Sequence, residues 1–243
     1  FFVKKDKWQL LITIEDMSDI RWSLSENQDK LHILRGKVDF SSVLSVSLAD
    51  GSTESALFAG IDKDSSHFVN NRNERTLGVV YGGFKPYTRF IDAKINSAFE
   101  RLSKSFPGSE VSYVSGEDNL EKIIVSISGE NSAFDYFLFN TSTLSLTRLK
   151  SALPKIKQMA KRELLTYISS DGTTIPAVLR LPVLTNANAK IPLIVIPHGY
   201  GRNSSIGFER EADFFSAKGY AVFSPNYRST DGFGLELRDA DLG

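Results

Sequence analysis

Residues 192–201 read PLIVIPHGYG and residues 208–234 read FEREADFFSAKGYAVFSPNYRSTDGFG, which together spell a strand, a glycine-bearing turn, a helix and a second strand. The apolar run Leu193 to Ile196 has the length and composition of a buried strand, and it stops at Pro197-His198-Gly199-Tyr200-Gly201. A strand that ends in this way frees backbone N–H groups at its carboxyl end, where α/β folds place ligands. A helix is expected from about Phe208 to Lys218, with Gly219 at the position of a C-cap glycine. Tyr220 to Ser224 then supplies the second strand, so the segment reads as a right-handed parallel crossover.

Upstream, ELLTYIS and IPAVLRL flank Asp171-Gly172 and read as a hairpin that leads into the crossover. From Ile20 to about Lys150 the pattern differs, with short β runs between polar turns: LHILR, SVLSVSL, ESALF, TLGVVY, YTRFID, EKIIVSIS, DYFLF and LSLTRL. Asp50-Gly51 signals a tight type I′ turn, and Asn140 to Thr143 joins Asp135–Phe139 to Leu144–Arg148 in a similar way. Such meanders suggest β-propeller blades, although no convincing internal repeat is present. Ile95, Ala98, Phe99, Leu102 and Phe106 recur at helical spacing, and Pro107-Gly108 ends that run. SALPKIKQMAKRE, residues 151–163, fits a crossing between two domains, with the boundary near residue 160.

With 41% hydrophobic and 24% charged residues, the 243-residue chain has the composition of a folded protein rather than a disordered one. Lys plus Arg and Asp plus Glu each total 29, so no whole-chain field recruits nucleic acid or an anionic membrane. The absence of cysteine excludes disulfides, thiolate nucleophiles and zinc–thiolate sites but does not choose a redox compartment. The first residues, FFVKKDKWQLLITI, lack the order of a signal peptide and read like the middle of a protein. No run approaches the roughly 20 apolar residues of a spanning helix. A soluble chain is expected, with the cytoplasm favoured and homo-oligomerisation left open.

Two blocks carry a family resemblance. IPLIVIPHGYG resembles the His-Gly-Gly-Pro turn of the prolyl oligopeptidase family, in particular its acylaminoacyl-peptidase-like branch. Lys218 to Gly234 resembles the Gly-Tyr-Ala-Val…Asn-Tyr-Arg-Gly-Ser…Gly-Tyr-Gly block that follows it. YISSDGTTIPAVLRLP, residues 167–182, is similar to the hairpin that opens the family's hydrolase domain, and YGGFKPYTRFIDAKINSAFERLSKSFPG, residues 81–108, to a stretch before it. The resemblance implies the C-terminal part of a β-propeller in residues 1–160, then the first half of an α/β-hydrolase domain in residues 161–243.

Acyl transfer builds negative charge on a carbonyl oxygen, and fixed N–H donors about 3 Å from it stabilise that charge. Gly199 and Tyr200 are the candidate backbone donors, the second by resemblance; a plain strand-to-helix turn is the competing explanation. His198 precedes any candidate nucleophile, which is the wrong order for a base in such hydrolases, and is expected to support the loop. Arg228 ends the second strand's block and could grip a substrate carboxylate, but an ion pair bracing the loop is the favoured role. No Gly-x-Ser-x-Gly elbow occurs, and Ser126, Ser128 and Ser224 lie in or at the ends of strands. By resemblance the Ser, Asp and His of a triad are expected beyond Gly243, with no catalytic residue inside the chain.

Against the family pattern, Tyr200 replaces a Gly, Gly201 replaces the Pro, and Ser229 and Asp231 alter Arg-Gly-Ser-x-Gly. Asp62, Asp64 and Ser66 mimic a calcium loop but lack its sixth-position Gly and twelfth-position Glu, so no metal site is expected. His32 and His67 are read as structural or exposed. No cofactor is expected, and the partner implied by the resemblance is a short peptide substrate. Three readings remain: an inactive fragment of a serine peptidase acting through a Ser-His-Asp acyl-enzyme, an esterase of the same fold, or a non-catalytic propeller scaffold. An isolated half sheet is expected to expose apolar faces and an unpaired edge around Leu193–Ile196 and Tyr220–Phe223.

Overall fold

The computed structural model describes residues 2–4, 7–13, 20–34, 43–58, 65–130, 132–156, 159–182, 190–199 and 203–240. Strands β1 (Phe2–Lys4) and β2 (Lys7–Gln9) form a two-stranded antiparallel ribbon. Strands β3 (Arg21–Leu24), β4 (Lys30–Leu34), β5 (Val43–Ser47) and β6 (Thr53–Leu57) make a four-stranded antiparallel meander. Strands β7 (Ser65–Asn70), β8 (Thr76–Tyr81) and β9 (Tyr87–Phe90) form a three-stranded one, followed by helix α1 (Ala93–Lys104). A second four-stranded meander comprises β10 (Ser109–Gly116), β11 (Lys122–Gly129), β12 (Ser132–Asn140) and β13 (Leu146–Ser151).

Helix α1 starts where Asp92 accepts a bond from the Ile95 N–H (2.8 Å), which satisfies one of the free donors of the first turn. Its Ile95, Ala98, Phe99 and Leu102 face is buried, and Phe99 meets Phe90 edge to face at 5.2 Å. These side chains join Val111, Ile123, Val125, Ile127 and Phe139 in the largest core cluster, so α1 ties the three-stranded sheet to the second meander. Phe106 packs on the same cluster, though the helix ends two residues earlier.

The remaining strands form a mixed sheet. Strands β14 (Lys161–Ile168) and β15 (Thr174–Leu181) are an antiparallel hairpin turned at Gly172, whose φ of 88° suits glycine. Strand β16 (Leu193–Val195), helix α2 (Arg210–Ala217) and strand β17 (Ala221–Pro225) follow, then helix α3 (Leu235–Asp239). The order is β14-β15-β17-β16, with β16 parallel to β17, and α2 lies against β15 and β17. Helix α2 closes as expected: Gly219 adopts φ 95°, its N–H reaches the Ser216 carbonyl (3.1 Å), and Tyr220 N–H reaches that of Phe215 (3.2 Å). This is the paired bonding of a Schellman cap, and the Phe215 and Tyr220 rings pack beside it.

Four expectations need correction. The run at Leu193 forms a three-residue strand that is not buried, since Leu193 is 58% and Val195 57% exposed on the sheet's edge. The reason is neighbourhood: β16 has one ladder partner among the described residues, whereas β17 sits between β15 and β16, and Val222 and Ser224 are inaccessible. The Tyr220–Phe223 segment is therefore central and not an edge. Asp50-Gly51 is not a type I′ pair, because Gly51 alone has positive φ (76°) in a longer loop from Leu48 to Ser52. Asp50 instead accepts from the Ser52 hydroxyl and N–H, which hold its carboxyl down to a pKa of about 2. Finally, Leu144 is not in a strand: at φ 61° it ends a loop bonded as the first one is, Leu144 N–H to Asn140 O and Asn140 N–H to Ser145 O. Strands β1, β2, β3, β7 and β10 match none of the β runs read from the sequence.

The candidate active-site turn

After Val195 the chain keeps one more bond to its neighbour, Ile196 N–H to Phe223 O (2.9 Å), before Pro197 ends the ladder. His198 and Gly199 follow at the carboxyl end of β16; Tyr200 and Gly201 lie outside the described residues, as do Asp62 and Asp64. The turn is held at both ends by the segment after β17. Tyr227 stacks its ring on the His198 imidazole (centroids 4.6 Å apart, planes at 15°) and donates its hydroxyl to the His198 carbonyl (2.5 Å). Thr230, wholly buried, places its Oγ1 3.0 Å from His198 Nε2.

At the far end, the inaccessible Asn226 side chain accepts from Ser204 N–H (2.7 Å) and donates to Ser204 O (3.0 Å). His198 Nδ1 lies 2.9 Å from the Gly199 carbonyl, which can only accept, so that nitrogen carries a proton. Gly199 itself is outside the positive-φ set, and a β-carbon there would meet no described atom within 4 Å. Neither backbone twist nor crowding by the described residues explains this glycine. What it provides is open access to the backbone.

Arg228 points elsewhere. Its Nη2 pairs with the Asp171 carboxylate in the β14–β15 turn and lies 3.3 Å from Thr173 Oγ1. Ser229 follows in the left-handed region, φ 68°, and its buried hydroxyl has no hydrogen-bond partner among the described residues. The same segment then meets the three-stranded sheet: Gly232 (φ 94°) and Gly82 approach so closely that a β-carbon on Gly82 would lie 2.6 Å from Gly232 Cα. Phe84 and Phe233 pack edge to face at 4.9 Å beside this contact, and Asn203 donates to Gly83 O (3.0 Å).

Behind the turn lies a charged cluster without a local sequence signature. Arg180, fully inaccessible, donates to Ser205 O (3.0 Å) and Gly207 O (3.2 Å) and pairs with Glu209 (3.0 Å). Asp213 pairs with Arg162 (2.8 Å) and accepts from Glu209 N–H (2.9 Å). Burial pushes the Asp213 carboxyl up, against the pull of Arg162 and Arg180. Glu110, from β10, reaches across to Ser205 Oγ (3.1 Å); burial raises its pKa more than its hydrogen bonds with Ser112 and Ser205 lower it. Among the described residues, no three or more His, Asp or Glu side chains are grouped to hold a metal ion. No helix among them is long and apolar enough to cross a membrane.

No protein-family model matches the chain. Dipeptidyl aminopeptidase BIII of Pseudoxanthomonas mexicana is 30% identical over 165 residues, 64% of this chain and 24% of that protein. The chain is related to the prolyl oligopeptidase family of serine peptidases. In fold it matches a puromycin-hydrolysing peptidase of Mycobacterium tuberculosis, with a TM-score of 0.68 at 14% identity, over 91% of this chain and 35% of that one. It also matches a post-proline cleaving enzyme of Rickettsia typhi, with a TM-score of 0.64 at 13% identity, over 92% of this chain and 35% of that one. The chain thus spans about a quarter to a third of the prolyl oligopeptidase-family proteins it matches.

Sequence reading placed Asp171 in a hairpin turn but not opposite Arg228, and it did not single out Thr230, Glu110 or the Arg162–Arg180–Asp213 cluster. Thr230 sits four residues past the Asn226 that the family block contains, and only its burial marks it.

Proposed function

We propose that the chain is part of a serine peptidase that hydrolyses short peptides. In this reading residues 1–160 are blades of a β-propeller and residues 161–243 are the first half of an α/β-hydrolase domain. The observation that carries it is the turn after β16, clamped at His198 and at Ser204, with an open glycine between, in a chain related to peptidases of one family. Gly199 and Tyr200 supply N–H donors to the oxygen that becomes negative when a nucleophile adds to the scissile carbonyl. His198 supports the turn, and Arg228 braces it through Asp171.

The nucleophile, its base and the acid that orients the base belong to the part of the relatives that this chain does not span. The exposed edge of β16 is consistent with a further parallel strand adding there, carrying a nucleophile to within reach of the turn. Acylation would expel the amine of the peptide and leave an ester on the nucleophile, which water then hydrolyses to regenerate the hydroxyl.

The test compares this 243-residue chain with the longer gene product on short peptide p-nitroanilides and on p-nitrophenyl esters. The longer product is expected to cleave the anilides and the chain alone to be inert. Ester hydrolysis without anilide hydrolysis would move the assignment to an esterase, and turnover by the chain alone would refute the placing of the triad. A longer product lacking Gly-x-Ser-x-Gly would favour a binding scaffold.

A further inference from the structure

The segment after β17 does more than cross the turn; it fixes the orientation of one peptide plane. In a trans peptide the C=O and the following N–H point in opposite directions. Tyr227 Oη holds the His198 carbonyl at 2.5 Å, so the Gly199 N–H of the same peptide unit is aimed away from the hydroxyl. A hydrogen bond at the carbonyl also polarises that unit and makes its N–H a better donor.

The imidazole is fixed in the same frame. The Tyr227 ring stacks on it, and Thr230 Oγ1 and the Gly199 carbonyl meet its two nitrogens at 3.0 and 2.9 Å. The Thr230 hydroxyl has one hydrogen and two acceptors within reach, so it serves one of them at a time. With a neutral imidazole, Nδ1–H donates to Gly199 O and Thr230 O–H donates to Nε2. With an imidazolium, Nε2–H donates to Thr230 Oγ1, whose hydrogen then turns to the Tyr227 carbonyl 2.5 Å away.

We propose that Tyr227 and Thr230 are positioning residues that aim the Gly199 N–H at the developing oxyanion. This rests on the reading of Gly199 as an oxyanion donor, and it adds the residues that set the donor's direction. Both side chains contact His198 and would act through it.

The experiment uses Tyr227→Phe, which keeps the stacked ring and removes the hydroxyl. A second variant, Thr230→Val, keeps the shape and removes the other contact, and Thr230→Ser serves as the conservative rescue. Hydrogen–deuterium exchange and ¹⁵N spectra of the 243-residue chain report on the Gly199 amide and the His198 ring. Kinetics of the longer product on a short peptide p-nitroanilide report on turnover.

Tyr227→Phe is expected to slow exchange at Gly199, whose N–H loses the polarisation supplied through the His198 carbonyl, and to lower kcat about tenfold with KM nearly unchanged, since a misaimed donor is lost mainly in the transition state. Thr230→Val is expected to shift the His198 ring nitrogens and lower kcat, and Thr230→Ser to restore both. Unchanged Gly199 exchange and unchanged ring shifts in both variants would overturn the positioning role whatever the enzyme's chemistry. Altered exchange with unaltered kcat would leave the geometry standing and overturn the oxyanion reading beneath it. If Tyr227→Phe does not fold, the Thr230 pair decides by the same criteria.

Discussion

Replacing Ser229 by glycine should make the protein more stable, and the size of the gain can be worked from the structure. Ser229 holds φ at 68°, where a side chain crowds its own backbone at a cost of roughly 1–2 kcal/mol. Its hydroxyl is buried without a partner among the described residues, which adds about 1 kcal/mol. Against this, glycine has more freedom to lose on folding, about 0.4–1 kcal/mol. The balance favours Ser229→Gly by about 1–2.6 kcal/mol, or roughly 2–10 °C in Tm for a chain of this size. Ser229→Ala separates the contributions, because it removes the hydroxyl but keeps the strain and should gain about 1 kcal/mol. Both are measured by thermal and urea unfolding against the parent protein. A Ser229→Gly variant less stable than the parent would show that the serine makes a needed hydrogen bond or that the turn does not require positive φ.

Other perturbations test the site and its supports. Asn226→Ala leaves both backbone groups of Ser204 without their partner and should cost about 3 kcal/mol in urea unfolding, with faster amide exchange at Ser204. Arg228→Ala and Asp171→Ala should each shift stability little, and a double-mutant cycle should give a coupling below about 1 kcal/mol. The KM of the longer product should be unchanged in Arg228→Ala, whereas a large rise would assign the guanidinium to substrate. Glu110 has a folded pKa raised by burial, so the folded state holds its proton more tightly than the unfolded chain. Stability from this group is therefore lost as pH rises from about 4 through the raised value, and Glu110→Gln should remove that decline and match the parent at low pH.

The parts of this molecule that local chemistry dictates were legible in the sequence. The cap at Gly219, the hairpin at Asp171-Gly172 and the apolar face of α1 all follow from residues within a turn of each other. The exposed edge of β16 was legible from the open half sheet, but the apolar run by itself reads as a buried strand, because it records what a strand can bury and not which neighbours are present. The loops at Gly51 and Leu144 were misread because the Asp50 and Asn140 side chains satisfy backbone N–H groups and permit a longer loop than the dipeptide signal implies. Strand β10 was hidden in a polar run whose buried Ser109 and Val111 gain meaning only against α1 and β11. For the candidate site, the block 226–228 lies in the segment that packs on His198, but the partners of Arg228 and His198 are 57 and 32 residues away in sequence, beyond the reach of any local pattern.

The order β14-β15-β17-β16 also constrains how the chain can be assembled as it is made. The hairpin β14–β15 can close as soon as both strands exist, but β17 joins β15 before β16 has any ladder to join. Everything that fixes His198 lies later still, at Tyr227 and Thr230. A ribosome releases residue 198 long before residue 230, so the turn must wait, unformed, for about 30 residues of further synthesis. Organisation of the turn thus comes among the last local events in this part of the chain, after the sheet that carries it.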